Sequence, residues 1–196
     1  MTAFSYRMGA GSPGEVTRIH PSSIRAFNND ASTHAPLTYT GQAALYDGTY
    51  NTVRAVNNSA DSSKGAKTVA IAGIVVRPYP TQDSGSGETF GAAAYGASSY
   101  PAAGGILDLL TQGSILVTQN QPQGTYAAAS QLGGTVYVRV ITGTTGGFSS
   151  GGTYGLPVGG FETVQDTNTL TQFAVANAVW NGPADQFGVA EITLID

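Results

Sequence analysis

Cysteine is absent from the 196-residue chain, which excludes a disulfide framework and thiol chemistry. Lysine is nearly absent, with only Lys64 and Lys67. Charge of either sign is scarce: charged residues make up 10% of the chain, against about 25% in an ordinary soluble domain. With 8 basic and 12 acidic residues the formal net charge is −4. No basic patch is available to neutralise phosphates, so nucleic-acid binding is not expected. Long apolar runs are also missing. The longest, residues 69–76, is far too short to cross a bilayer. Residues 1–14 lack the apolar stretch of a secretory leader, so none is expected. The two histidines, His20 and His34, stand fourteen residues apart with no obvious acidic cluster, which makes a poor metal set.

What remains is rich in small residues. The 27 glycines and 9 prolines together make about 18% of the chain, well above the usual share. A free enzyme usually carries more surface charge; this composition suits a protein whose surface is largely covered by partners. A chain of this length buries roughly 70% of its unfolded surface and needs no staple. No linker or repeat divides it, so residues 1–196 are expected to form one domain.

Alternation with a period of two dominates the pattern. Val136, Val138 and Val140 share one face of a strand, with Tyr137, Arg139 and Ile141 on the other. At the C-terminal end Ala190, Ile192 and Leu194 face inward while Glu191 and Thr193 face out. The apolar run 69–76 predicts one strand buried on both faces. Further strands are predicted at 15–20, 37–46, 52–56, 114–119, 161–165 and 170–180. Ile106, Leu107, Leu109 and Leu110 are spaced for a turn or two of helix before Gly113. The fold class is therefore all-β, a single-domain sandwich or barrel, with a jelly-roll-like arrangement among the possibilities. Residues 1–14 read as an extended arm, and 81–105 and 142–160 as long glycine-rich loops of the kind that carry function.

Two catalytic patterns occur and neither has its context. Gly147, Ser149 and Gly151 match the nucleophile-elbow spacing, but that elbow needs a following helix and a later histidine. Residues 152–160 are too rich in glycine for a helix, and both histidines come earlier. Gly9, Gly11 and Gly14 match a dinucleotide fingerprint, which requires a strand before it and a helix after it. Pro13 interrupts the motif and a strand is expected next. The acidic residues are scattered, with no calcium loop and no carboxylate pair. No catalytic, cofactor-binding or metal-binding residue is assigned, and no enzyme activity is expected. The sequon at Asn57 is one by pattern only, because nothing directs the chain to a secretory route.

The aromatics carry more information. Phe90, Tyr95, Tyr100, Phe148 and Tyr154 lie in the glycine-rich loops, and Phe4 and Tyr6 in the arm. Some of these rings would plug the ends of the domain. Tyr95, Tyr100, Tyr154, Phe4 and Tyr6 are the candidate partner contacts, since aromatic residues dominate interface energetics.

Several stretches resemble the structural cement (capsid decoration) proteins of tailed bacteriophages. They are Pro13-Gly14-Glu15-Val16-Thr17-Arg18; Gly73-Ile74-Val75-Val76-Arg77-Pro78-Tyr79-Pro80-Thr81-Gln82; residues 104–117 around Ile106-Leu107-Asp108-Leu109-Leu110; residues 133–140; and Gly188-Val189-Ala190-Glu191-Ile192. The Arg-Pro-Tyr-Pro-Thr-Gln run is the most specific. Thr111 and Gln112 stand where the family commonly has basic residues, so charge-based docking is not expected there. The resemblance implies a β-rich virion protein on the capsid exterior, made in the bacterial host cytoplasm. It would bind across neighbouring major capsid protein subunits as a homo-oligomer (dimer or trimer), with no cofactor, nucleic acid or membrane. The alternatives are a tail or fibre component and a carbohydrate-binding β module, for which the lone Trp180 would have to be exposed.

Overall fold

The computed structural model describes residues 13–17, 22–30, 34–77, 103–120, 132–141, 158–165, 169–185 and 188–195. Ten strands run through them: β1 (Ser23–Asn29), β2 (Ala43–Tyr46), β3 (Thr52–Ala55), β4 (Thr68–Val69), β5 (Gly73–Val75), β6 (Ile106–Thr118), β7 (Thr135–Arg139), β8 (Phe161–Glu162), β9 (Gln172–Trp180) and β10 (Val189–Leu194). One turn of α-helix, α1 (Asn58–Asp61), leads into a 3-10 turn at Ser62–Lys64, and a second 3-10 turn, Thr169–Thr171, precedes β9. The protein is all-β, as the alternation predicts.

The pairings close a small barrel. β1 pairs with β3, β3 with β2, β2 with β5, β5 with β6, and β6 returns to β1. Phe27, Ala44, Val53, Ala55, Val75, Leu107 and Leu109 form one buried cluster, drawn from all five strands. Barrel diameter grows with strand number, so five strands leave a narrow interior, and Ala44 and Ala55 suit it. Their neighbours Ala43, Leu45, Ile74, Val76 and Leu110 belong to the other cluster, with Val136, Val138, Phe173, Trp180 and Ile192. The barrel wall is thus apolar on both sides along β2, β5 and the start of β6, where its outer face packs on the second sheet.

That sheet runs β6–β10–β9–β7–β8, and a bridge between Gln119 and Phe161 brings its far edge back to the end of β6. β6 therefore serves both halves. Its first part pairs with β1 and β5, its second part with β10. The bend lies at residues 111–113. The β1–β6 register shifts by one residue between Ser23 and Ile24, leaving Thr111 as the bulge, and its hydroxyl donates to the Ser23 carbonyl. Gly113 has φ of +115°, a conformation that L side chains rarely adopt. Bulges are how a strand passes from one sheet to another. At Gly73 the barrel wall leaves no room for a side chain: a Cβ there would lie 2.5 Å from the Leu110 carbonyl oxygen.

Several expectations are corrected. Residues 106–110 are strand rather than helix, because Leu107 and Leu109 fill the barrel while Leu110 faces the second sheet. The run 69–76 is two strands: β4 joins β9, β5 joins β2 and β6, and the chain crosses between the halves at residues 70–72. Within 37–46 only Ala43–Tyr46 is strand. Within 15–20, Val16 bridges Ile115, and residues 18–20 lie outside the described set. β1 has no counterpart among the predicted strands, since Arg25, Asn28 and Asn29 hide its pattern. Of the two long loops, only residues 103–105 and 158–160 are described.

Candidate functional site

The β2–β3 hairpin stands at one end of the barrel, and its turn is the most exposed aromatic point among the described residues. Tyr50 is 94% exposed and Tyr46 59%. Asn51 takes a left-handed φ of 57°, which asparagine tolerates better than most residues. Tyr46 meets the edge of Phe27, with ring centroids 6.1 Å apart and planes at 65°. Ile106, 72% exposed, lies opposite Asn28, which in turn lies opposite Thr52. These side chains share one rim of the barrel.

Charges concentrate behind this rim. Arg54 lies between Val53 and Ala55, whose side chains fill the barrel, so it points outward to α1. Its terminal nitrogens donate to the two carboxylate oxygens of Asp61 at 2.7 and 2.8 Å. Lys64 adds a third contact to Asp61 at 3.1 Å, and the Asn57 amide donates to Asp61 at 2.8 Å. Burial by itself pushes the Asp61 carboxyl up, but these hydrogen bonds, led by Arg54, hold it below its ordinary value. The hydrogen bond to Asp61 outweighs burial at Arg54 and raises its guanidinium. Such fork-to-fork pairing is the strongest form of a charge-assisted contact.

Asp47, first residue of the turn, reaches back to the same place. Its Oδ1 lies 3.6 Å from Arg54 Nε and 2.5 Å from His34 Nδ1. His34 Nδ1 is also 3.4 Å from Asp30 Oδ2, and the His34 backbone amide donates to that same oxygen. The sequence shows no acidic cluster near either histidine; the fold adds Asp47 to His34 and its sequence neighbour Asp30. Around them the connection after β1 is tied to the barrel by side chains standing in for strand partners. Asn29 accepts from the Leu37 amide at 2.8 Å and donates to its carbonyl at 2.9 Å, which seats fully buried Leu37 in the barrel cluster.

A second buried ion pair lies in the other sheet. Arg139 Nε and Nη2 meet Glu162 at 2.5 and 2.8 Å, and Gln172 donates to the same carboxylate. Alternation put Arg139 opposite the valines, but its face is covered as well: Arg139 is 1% exposed and Glu162 2%. Paired carboxylates and arginines of this kind hold elements together.

The candidate contacts Phe4, Tyr6, Tyr95, Tyr100 and Tyr154 all lie outside the described residues, as do His20, Gly9, Gly11 and residues 147–151. Gly14 is described. Its amide donates to the Leu116 carbonyl and its own carbonyl accepts from Arg77, and the chain after it joins β6 rather than a helix, so no phosphate cradle opens there. Trp180 is 1% exposed and offers no face to a sugar. Tyr46 and Tyr50 were not among the sequence candidates, although two tyrosines around Asp47-Gly48 are a hairpin-turn signal.

The family model for the structural cement protein (E217 gp24/Pam3 gp6) matches residues 1–195. The chain belongs to the phage structural cement family. A solved chain from "The capsid of Myoviridae Phage XM1" has a TM-score of 0.57 at 18% identity, covering 99% of this chain and 96% of that one. At that identity the likeness is one of fold. No curated protein matches the chain. Cement membership makes this a structural protein of the virion, in keeping with its low charge and with a barrel and sheet joined through one strand.

Proposed function

We propose that this protein binds across neighbouring major capsid protein subunits on the outside of a phage head and reinforces the shell. The observation that carries the reading is the cement-family match over residues 1–195. The role is one of adhesion rather than catalysis. Its surface has few charges to solvate, so apolar and aromatic contacts supply the adhesion, and Phe4, Tyr6, Tyr95, Tyr100 and Tyr154 remain the proposed contacts. Tyr46 and Tyr50 join them from the barrel rim, where Tyr46 is braced before a partner arrives by its packing on the edge of Phe27. A rigid aromatic loses little freedom on docking, and this favours affinity. Binding as a dimer or trimer would place several such rims on the shell together.

The test is a reconstruction of heads with and without the protein. Density bridging adjacent coat subunits supports the reading, together with earlier rupture of bare heads on heating. Copies confined to the tail, or heads equally robust without the protein, would refute it.

A further inference from the structure

We propose that Asp30, His34 and Asp47 form a site for one divalent transition-metal cation of the zinc class. Two segments supply it: the connection after β1, which carries Asp30 and His34 four residues apart, and the turn of the β2–β3 hairpin, which carries Asp47. One ligand atom from each lies within 4.8 Å of the other two. The Asp30 and Asp47 side chains are 4% and 7% exposed, and His34 27%.

The second observation is what the buried atoms lack. His34 Nδ1 and Asp47 Oδ1 are both shut off from solvent, and neither has a hydrogen-bond partner of acceptable geometry, although they lie 2.5 Å apart. Each of these atoms can offer a lone pair, and one positive centre between them, a proton or a metal ion, would satisfy both together. Arg54 does not fill that role, because its terminal nitrogens are engaged by Asp61 and only Nε stands near Asp47, at 3.6 Å.

The donor set selects the ion. One imidazole nitrogen with two carboxylate oxygens is too rich in nitrogen for calcium, which takes oxygen ligands, and suits zinc. At zinc–ligand lengths of about 2.0–2.2 Å, tetrahedral neighbours are about 3.4 Å apart, which is the spacing His34 Nδ1 and Asp30 Oδ2 already have. Asp47 Oδ1 has to draw back from His34 to complete the set. A cation here would pin the hairpin turn, and with it Tyr50, to the end of β1. The site stands apart from the capsid-binding reading and is tested on the free protein.

Calorimetric titration of chelator-treated protein with zinc chloride is expected to show one site per chain. Affinity should fall at least tenfold in Asp47→Asn and in His34→Gln, and hold in His20→Gln. Absence of binding, or equal binding in wild type and both site variants, overturns the proposal; the former leaves a proton between His34 and Asp47, the latter an adventitious ion only. Should the variants fail to fold, ring nitrogen shifts of the wild-type histidines decide: zinc must move His34, and a response confined to His20 overturns the site.

Discussion

Asn177 and Ile71, 106 residues apart, pair through both faces of one amide: Asn177 Oδ1 accepts from the Ile71 amide at 3.0 Å, and Asn177 Nδ2 donates to the Ile71 carbonyl at 3.1 Å. This contact secures the crossing from β4 to β5, where the backbone leaves one half of the molecule for the other. Ile71 is 2% exposed, so its polar backbone groups have little access to water. Each buried group left unsatisfied costs about 1–3 kcal/mol. Asn177→Ala is expected to destabilise the protein by about 2–4 kcal/mol, measured by denaturant unfolding. A change under about 0.5 kcal/mol would show that water replaces the amide.

Asp61 gives a pH dependence with a definite sign. Its folded carboxyl sits below the ordinary value of 3.8, so the folded state binds fewer protons than the unfolded chain. The resulting stability is complete above the unfolded pKa and is lost as pH falls through the folded one. Removing one partner of a buried pair costs about 3–5 kcal/mol. Asp61→Asn should therefore be less stable than wild type at pH 7, and the gap should narrow below about pH 4. Thermal melts from pH 7 to 2 measure it; a gap independent of pH would remove the ionised carboxylate from the account.

Gly113 tests the bend in β6. Its φ of +115° costs a residue with a Cβ about 1–3 kcal/mol. Gly113→Ala is expected to lower the melting temperature by about 2–12 °C, given roughly 2–4 °C per kcal/mol at this size. An unchanged or higher melting temperature would mean that the strand passes between the two sheets without strain.

The rim and loop aromatics are tested by occupancy. Tyr50 is 94% exposed, so Tyr50→Ala should leave the melting temperature of the free protein within about 2 °C, exposed substitutions being worth under about 0.5 kcal/mol. Truncating an aromatic that fills a partner's pocket costs about 2 kcal/mol or more, roughly a thirtyfold loss of affinity. Tyr50→Ala, and separately Tyr95→Ala with Tyr100→Ala, should lower occupancy on heads lacking the wild-type protein. Full occupancy would remove these residues from the docking surface.

Salt separates aromatic from ionic docking. At about 1 M NaCl the Debye length shrinks to roughly 3 Å, and exposed ion pairs are worth only about 0–1 kcal/mol. With 20 charged residues in the chain, bound protein should survive such a wash. Release by salt alone would assign docking to charge.

The amino-acid sequence by itself determined the all-β class, the family, and the inward faces of β7 and β10, because a period of two is a local property. Val136, Val138, Ala190, Ile192 and Leu194 are all buried as their spacing requires. It also marked 170–180 as strand, of which Gln172–Trp180 is β9, because Phe173, Val175 and Val179 alternate against helix-favouring alanines. Only the tertiary structure decided what those strands join. Alternation carries no register, so nothing local says that β6 serves two sheets or that 69–76 divides between them. The leucines of 106–110 suit a helix and a strand equally well, and the barrel they fill settles the choice. Burial of charge is likewise non-local. Arg139 meets Glu162 only when β7 pairs with β8, and Asp47 reaches His34 only once the β2–β3 hairpin stands beside the end of β1. Even Arg54 and Asp61, seven residues apart, are buried together only by the packing around them. In a chain with so few charges, that is where most of the informative ones were placed.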